Sequence, residues 1–205
     1  VVATNVESIG NNAFASSKLT AANFEKATSI GDRAFAVCNN LTSAKFGGVS
    51  KMGKEVFVSS LALTNVTFGQ GTKVVGAYAF YSSSARANLI NVVLPDGIEN
   101  VGEFAFYNCT GLSTVNVTGA KAIGNYAFYN CSSLANATLG TVETLGKGAF
   151  ANTALTSADL TSAVEIDAYA FMSTPLANVN FGAAQYIGDY AFANTALTTV
   201  TLPAT

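Results

Sequence analysis

Ile123-Gly124-Asn125-Tyr126-Ala127-Phe128-Tyr129-Asn130-Cys131-Ser132-Ser133-Leu134 leads into Ala135-Asn136-Ala137-Thr138-Leu139, and the same phrase recurs along the whole chain. A second clear copy runs from Ile30-Gly31 through Ala34-Phe35 to Leu41. One phenylalanine anchors each copy: Phe14, Phe35, Phe57, Phe80, Phe106, Phe128, Phe150, Phe171 and Phe192, spaced 21, 22, 23, 26, 22, 22, 21 and 21 residues apart. A period in this range marks a solenoid, in which each coil buries its apolar face only against its neighbours.

Within a copy, Leu112-Ser113-Thr114-Val115-Asn116-Val117 places apolar residues as L-x-x-V-x-V, and its last three alternate with the period of a half-buried strand. One strand per coil, always in the same direction, predicts a parallel sheet along a right-handed solenoid of nine coils. The remainder, Gly-x-x-Ala-Phe, is long enough for a single helical turn, so short 3-10 or irregular structure is expected there and the class reads as α/β. The glycine allows a turn that a Cβ would obstruct, and Asp167, which replaces it in the eighth copy, tolerates left-handed backbone. Stacked coils place the nine rings in a ladder, each worth ~1.5–3 kcal/mol by burial.

The 205 residues are 50% hydrophobic and 11% charged, with a net charge of −2. That is too apolar for disorder and too nearly neutral for a nucleic-acid footprint. The repeat spreads its apolar residues, so no run approaches the ~20 that a membrane helix needs. Residues 1–205 read as one elongated repeat domain. A solenoid needs polar caps, and the chain stops straight after a strand motif, so it reads as a piece of a longer protein.

The phrase I-G-x-x-A-F-x-x-C-x-x-L-x-x-V-x-L resembles the BspA-like leucine-rich repeat of bacterial and protozoan surface proteins, over essentially the whole chain. The resemblance implies a solenoid at the cell surface or secreted, used for adhesion or for binding a host, matrix or cellular protein. The cysteine position holds Cys38, Cys109 and Cys131 and is Ser or Thr elsewhere.

Enzyme chemistry has little to work with: no histidine is present, which excludes Ser-His-Asp and Cys-His arrangements and histidine zinc sites. No cofactor or metal is expected. The three cysteines, at one repeat position, read as free buried thiols, with a Cys109–Cys131 disulfide as the alternative. Two surfaces are candidates. The outward strand positions Asn23, Lys45, Thr67, Val93, Asn116, Thr138, Asp159, Asn180 and Thr201 form a small, polar face for a protein or glycan. The second is aromatic: Tyr78, Phe104 and Tyr126 lie two before the anchor, and Tyr81, Tyr107 and Tyr129 one after it, in copies four to six. Each pair is three apart and would share one face of a helical turn. A Ser-rich surplus around Ser82, Ser83 and Ser84, followed by Arg86, should bulge outside the sheet and leave the strand at Asn91–Leu94 in register. The function read from all this is a non-enzymatic binding module; a structural spacer or a polysaccharide-binding component is the alternative.

Overall fold

The computed structural model describes residue 3 and residues 5–86 and 88–201. Seventeen strands alternate between two kinds. In chain order they are β1 (Ser8–Ile9), β2 (Ala21–Phe24), β3 (Ser29–Ile30), β4 (Ser43–Phe46), β5 (Lys51–Met52), β6 (Asn65–Phe68), β7 (Val74–Val75), β8 (Asn91–Val93) and β9 (Asn100–Val101). There follow β10 (Thr114–Asn116), β11 (Ala122–Ile123), β12 (Asn136–Thr138), β13 (Thr144–Leu145), β14 (Ser157–Leu160), β15 (Glu165–Ile166), β16 (Asn178–Phe181) and β17 (Tyr186–Ile187).

The even-numbered strands are the expected ones, and eight of them occur among the described residues. They pair parallel and in register, as in Asn65↔Asn91 and Val66↔Val92 or Val115↔Ala137. Val200 and Thr201 form no strand, and Leu202, the last residue of the ninth motif, lies outside the described residues. The odd-numbered strands correct the expectation of one strand per coil. Each is a two-residue segment ahead of the Gly position, and nine of them build a second parallel ladder, β1-β3-β5 and β7 to β17. The ladder breaks where the Gly76 N–H donates to Met52 Sδ (3.3 Å) in place of a backbone carbonyl.

The α/β label is also corrected. No described residue is helical, so the chain is an all-β solenoid whose third side consists of turns. The residue two before each anchor has a left-handed backbone, φ 53–62°, whether it is Asn12, Arg33, Tyr78, Phe104 or Gly148. The residue two after the anchor does the same in every coil but the fourth. Such a conformation costs ~1–2 kcal/mol for a non-glycine residue. Hydrogen bonds to the next coil offset it. In the sixth coil Tyr126, Phe128 and Asn130 donate N–H to Lys147, Ala149 and Ala151 carbonyls at 2.7, 2.8 and 2.9 Å. The intervening Ala127, Tyr129 and Cys131 donate back within their own turn, so every amide is satisfied without a helix.

Glycine at the start of this segment has a different cause from the one expected. A Cβ on Gly124 would sit 2.5 Å from the Glu103 nitrogen of the coil before, so the requirement is close stacking and not a special φ. Asp167 accordingly shows no positive φ; its carboxylate accepts the Ala168 N–H at 2.6 Å.

The anchors form the ladder the repeat predicts. Phe35, Phe57, Phe80, Phe106, Phe128, Phe150 and Phe171 are 0% exposed. Successive rings stack 4.9–5.5 Å apart, including 5.0 Å from Phe128 to both Phe106 and Phe150. A second column, Phe24-Phe46-Phe68, closes the strand ends of the first coils.

The bulge follows expectation in part. Strand β8 keeps its register on β6, and Ser83 and Ser84 are exposed. Arg86, by contrast, is 1% exposed and folded inward. The reason lies at the position three after the anchor, whose Cys or Ser side chain in coils two, three, five and six donates to the carbonyl of the preceding coil's anchor, whereas Thr153, Thr174 and Thr195 donate to that of their own. Cys38 takes Phe14 O (3.0 Å), Ser60 takes Phe35 O (2.6 Å) and Cys131 takes Phe106 O (3.1 Å). The bulge carries Ser83 away, and the Arg86 guanidinium serves Phe57 O (3.1 Å) instead, together with Phe80 O (2.8 Å) and Ser60 O.

All three cysteines are free and buried, as the thiol reading expects. Burial pushes the Cys109 thiol up to about 12, against the opposing pull of the Arg86 guanidinium, and holds Cys131 well above its ordinary range. A raised folded-state pKa means stability that is intact below the ordinary thiol value and lost as pH climbs toward the folded one. Thermal stability should therefore fall as pH rises from about 9 to about 12. Cys109→Ser/Cys131→Ser keeps the hydroxyl donor that Ser60 provides and should flatten that slope in melts across the range. An identical slope in the variant would refute this assignment, since the two proteins differ only in the thiols.

Candidate binding surfaces

The left-handed residue before each anchor projects its side chain from the turn side of the coil. Tyr78, Phe104 and Tyr126 form one column there, with ring centroids 4.9 and 5.1 Å apart. Tyr81, Tyr107 and Tyr129 form a second, at 5.4 and 5.0 Å. Within a coil the columns meet edge-on, Tyr78 to Tyr81 at 5.6 Å and Tyr126 to Tyr129 at 5.8 Å. The pairs thus come together as the sequence suggests, but on a left-handed turn and not a helical one. All six rings are half-buried. Burial raises the Tyr107 and Tyr78 hydroxyls above their ordinary range, so both stay protonated at neutral pH.

The belt then loses a rung. The seventh coil carries Gly148 and Ala151 at the two aromatic positions, and Tyr169 and Met172 follow in the eighth. A groove of about 250 Å3 opens between Tyr126 and Tyr129 on one side and Tyr169 and Met172 on the other. Lys147 also lines it, with its exposed ammonium over the Tyr169 ring, 5.6 Å from the centroid.

The sheet face is more closely tied to itself. Lys45 is held by Glu25 at 2.7 Å, and this ion pair lowers the Glu25 carboxyl below its ordinary range. Asn116 accepts the Thr118 N–H (3.1 Å) and donates to Asp96 (3.2 Å). Asn180 donates to Asp159 (3.4 Å), which also accepts the Thr161 N–H (3.2 Å). Asn23 and Thr67 are half-buried, and Val93, Thr138 and Thr201 are exposed. A trough of about 470 Å3 crosses the last strands, lined by Ser157, Asp159, Asn178, Asn180, Thr199 and Thr201. Four ion pairs bridge successive coils among the described residues: Arg33–Glu55, Lys45–Glu25, Lys73–Glu99 and Lys121–Glu143. All are exposed, where such pairs contribute ~0–1 kcal/mol. No group of three or more Cys, Asp or Glu able to hold a metal occurs among the described residues.

Parallel coils of this length, with one consensus strand each and a phenylalanine ladder beneath, define a leucine-rich-repeat solenoid. The BspA-type leucine-rich repeat region matches residues 2–87 and 117–205 in 6 copies, and the chain belongs to that family. No curated protein matches it. Among solved structures, a T. pallidum leucine-rich repeat protein is 19% identical, with TM-score 0.59 over 92% of this chain and 80% of its own. A leucine-rich repeat protein from Bacteroides ovatus is 24% identical, with TM-score 0.47 over 92% of this chain and 62% of its own. This chain thus spans less than two thirds of that relative's length. A leucine-rich cell surface protein from Faecalibacterium prausnitzii is 19% identical, with TM-score 0.39 over 98% of this chain and 84% of its own. No helix among the described residues is long and apolar enough to cross a membrane.

Proposed function

We propose that this chain is a non-enzymatic adhesion or protein-binding module, displayed at a cell surface or secreted, on a right-handed solenoid. The observation that carries the reading is the six-ring belt of Tyr78, Tyr81, Phe104, Tyr107, Tyr126 and Tyr129. Two stacked columns keep those rings in fixed positions before any partner arrives, which lowers the entropy cost of binding. Tyrosine is enriched at protein interfaces because a large apolar ring carries a polar tip. Family membership supports the reading, and the absence of histidine weighs against the common catalytic arrangements.

A second reading, polysaccharide capture, is favoured by the trough across β14 and β16, whose hydroxyls, amides and Asp159 suit sugar hydroxyls. Solid-phase binding of the chain to a panel of extracellular-matrix proteins and glycans separates the two. The first reading predicts saturable binding to a protein. Binding confined to glycans and lost in Asp159→Ala/Asn180→Ala would replace it with the second, and binding to neither would leave a structural spacer.

A further inference from the structure

The vacant rung in the aromatic belt has the dimensions and the lining of a site for one more ring. Coils repeat at ~4.8 Å, so the Tyr126 and Tyr169 positions lie two steps, roughly 10 Å, apart. That is the spacing at which a ring inserted between them stacks on both. The belt already shows such stacking between coils at 4.9–5.1 Å, and Tyr169 stacks on Tyr190 at 5.4 Å beyond the gap. The groove offers about 250 Å3, and an apolar cavity of ~150 Å3 suffices for benzene. Tyr126 leans toward the gap: a Cβ on Gly148 would lie 2.6 Å from its ring. The contact is with the far end of a side chain, which an incoming ring has to displace.

We infer that this slot receives an aromatic side chain from a partner protein, flanked in the partner by acidic residues. The inference deepens the protein-binding reading above and rests on it. Two features select this occupant. The floor is Gly148 and Ala151, with no side-chain amide or carboxylate to meet the in-plane hydroxyls of a sugar, so the slot suits a ring that needs only stacking. Lys147, an exposed residue of the lining and in none of the four ion pairs among the described residues, supplies the positive charge an acidic neighbour would meet.

The chain contains no tryptophan, so a peptide's own tryptophan reports its binding without background. The probe is Ac-Glu-Trp-Glu-amide, followed by fluorescence anisotropy, with Ac-Arg-Trp-Arg-amide and cellohexaose as comparators. Saturable binding of the acidic peptide is expected, about fivefold tighter than the basic one, as befits one exposed charge contact. Gly148→Tyr restores the missing ring on a backbone that tyrosine already occupies at 78, 126 and 169 with φ 54–62°, and should weaken peptide binding at least tenfold. Lys147→Glu, an exposed change that leaves the fold alone, should reverse the charge preference. No saturation, indifference to both variants, or displacement of the peptide by cellohexaose would overturn the assignment. Failure of the peptide while the matrix-protein panel still binds would sink the slot alone and leave the binding-module reading standing.

Discussion

Phe128→Ala should lower the unfolding free energy by about 3–5 kcal/mol, the cost of emptying a fully buried aromatic site. Phe128 is 0% exposed and lies between Phe106 and Phe150 at 5.0 Å on either side, with no slack from which the ladder could relax. The backbone around it is committed too: its N–H bonds Ala149 O at 2.8 Å, and the turn that presents it contains two left-handed residues, Tyr126 and Asn130. In a solenoid stability is a sum of coil and interface contributions, so a void in the sixth coil weakens both interfaces it touches. Phe14→Ala, in the half-buried first ring, should cost well under half as much. Urea denaturation of the two variants gives the comparison. Equal losses, or a loss below about 1.5 kcal/mol for Phe128→Ala, would mean that the ring ladder is not the core.

Arg86→Ala should cost about 3 kcal/mol, from the loss of three charge-assisted hydrogen bonds and the void left by the side chain. Its guanidinium serves three carbonyls, those of Phe57, Ser60 and Phe80, drawn from two coils, and it is in none of the four ion pairs among the described residues. Removing the charge recovers some desolvation cost, and burial already pulls this guanidinium below its ordinary range. The void and the lost bonds outweigh that gain at a site 1% exposed, although Phe57 O and Ser60 O keep the Ser60 and Leu63 N–H groups at 3.2 Å. Arg86→Lys should lose nearly as much, since an ammonium keeps the charge but cannot fork across the coils. A change within 1 kcal/mol in denaturant melts of Arg86→Ala would show that those remaining partners suffice and that Arg86 does not hold the coils together.

These two residues mark how far the sequence could be read. Phe128 was legible because nine copies of Ala-Phe or its equivalent share one spacing, and stacking follows from repetition. The bulge was legible as a spacing of nine from Phe80 to Leu89 where other coils use five or six. The inward turn of Arg86 was not, since a lone arginine beside serines has the pattern of a solvated loop. Only the loss of the donor three after Phe80 signals the vacancy that it fills. The second ladder escaped notice because segments such as Ala122–Ile123 are too short for a period of two to register. Left-handed turns escaped it because the position two before the anchor holds Tyr, Arg, Glu and Phe beside a single Asn and a single Gly, although Asn108, Asn130, Asn152 and Asn194, two after it, carried the usual signal. Inter-coil hydrogen bonds, invisible in one repeat, hold them there. The aromatic belt was visible as residues, and its missing rung could have been seen as Gly148 and Ala151 standing where the preceding coils carry rings.

Binding of Tyr81→Ser/Tyr107→Ser/Tyr129→Ser to whichever matrix protein captures the wild-type chain tests the central claim most directly. The measurement is made at 25 °C with folding checked by circular dichroism. Stacked rings contribute ~0.5–1.5 kcal/mol per pair, so the variant should melt lower yet stay folded. At least a tenfold weaker dissociation constant is expected for it. Binding within twofold of the wild type, by a variant that is measurably less stable, would make the belt a packing device and contradict the account.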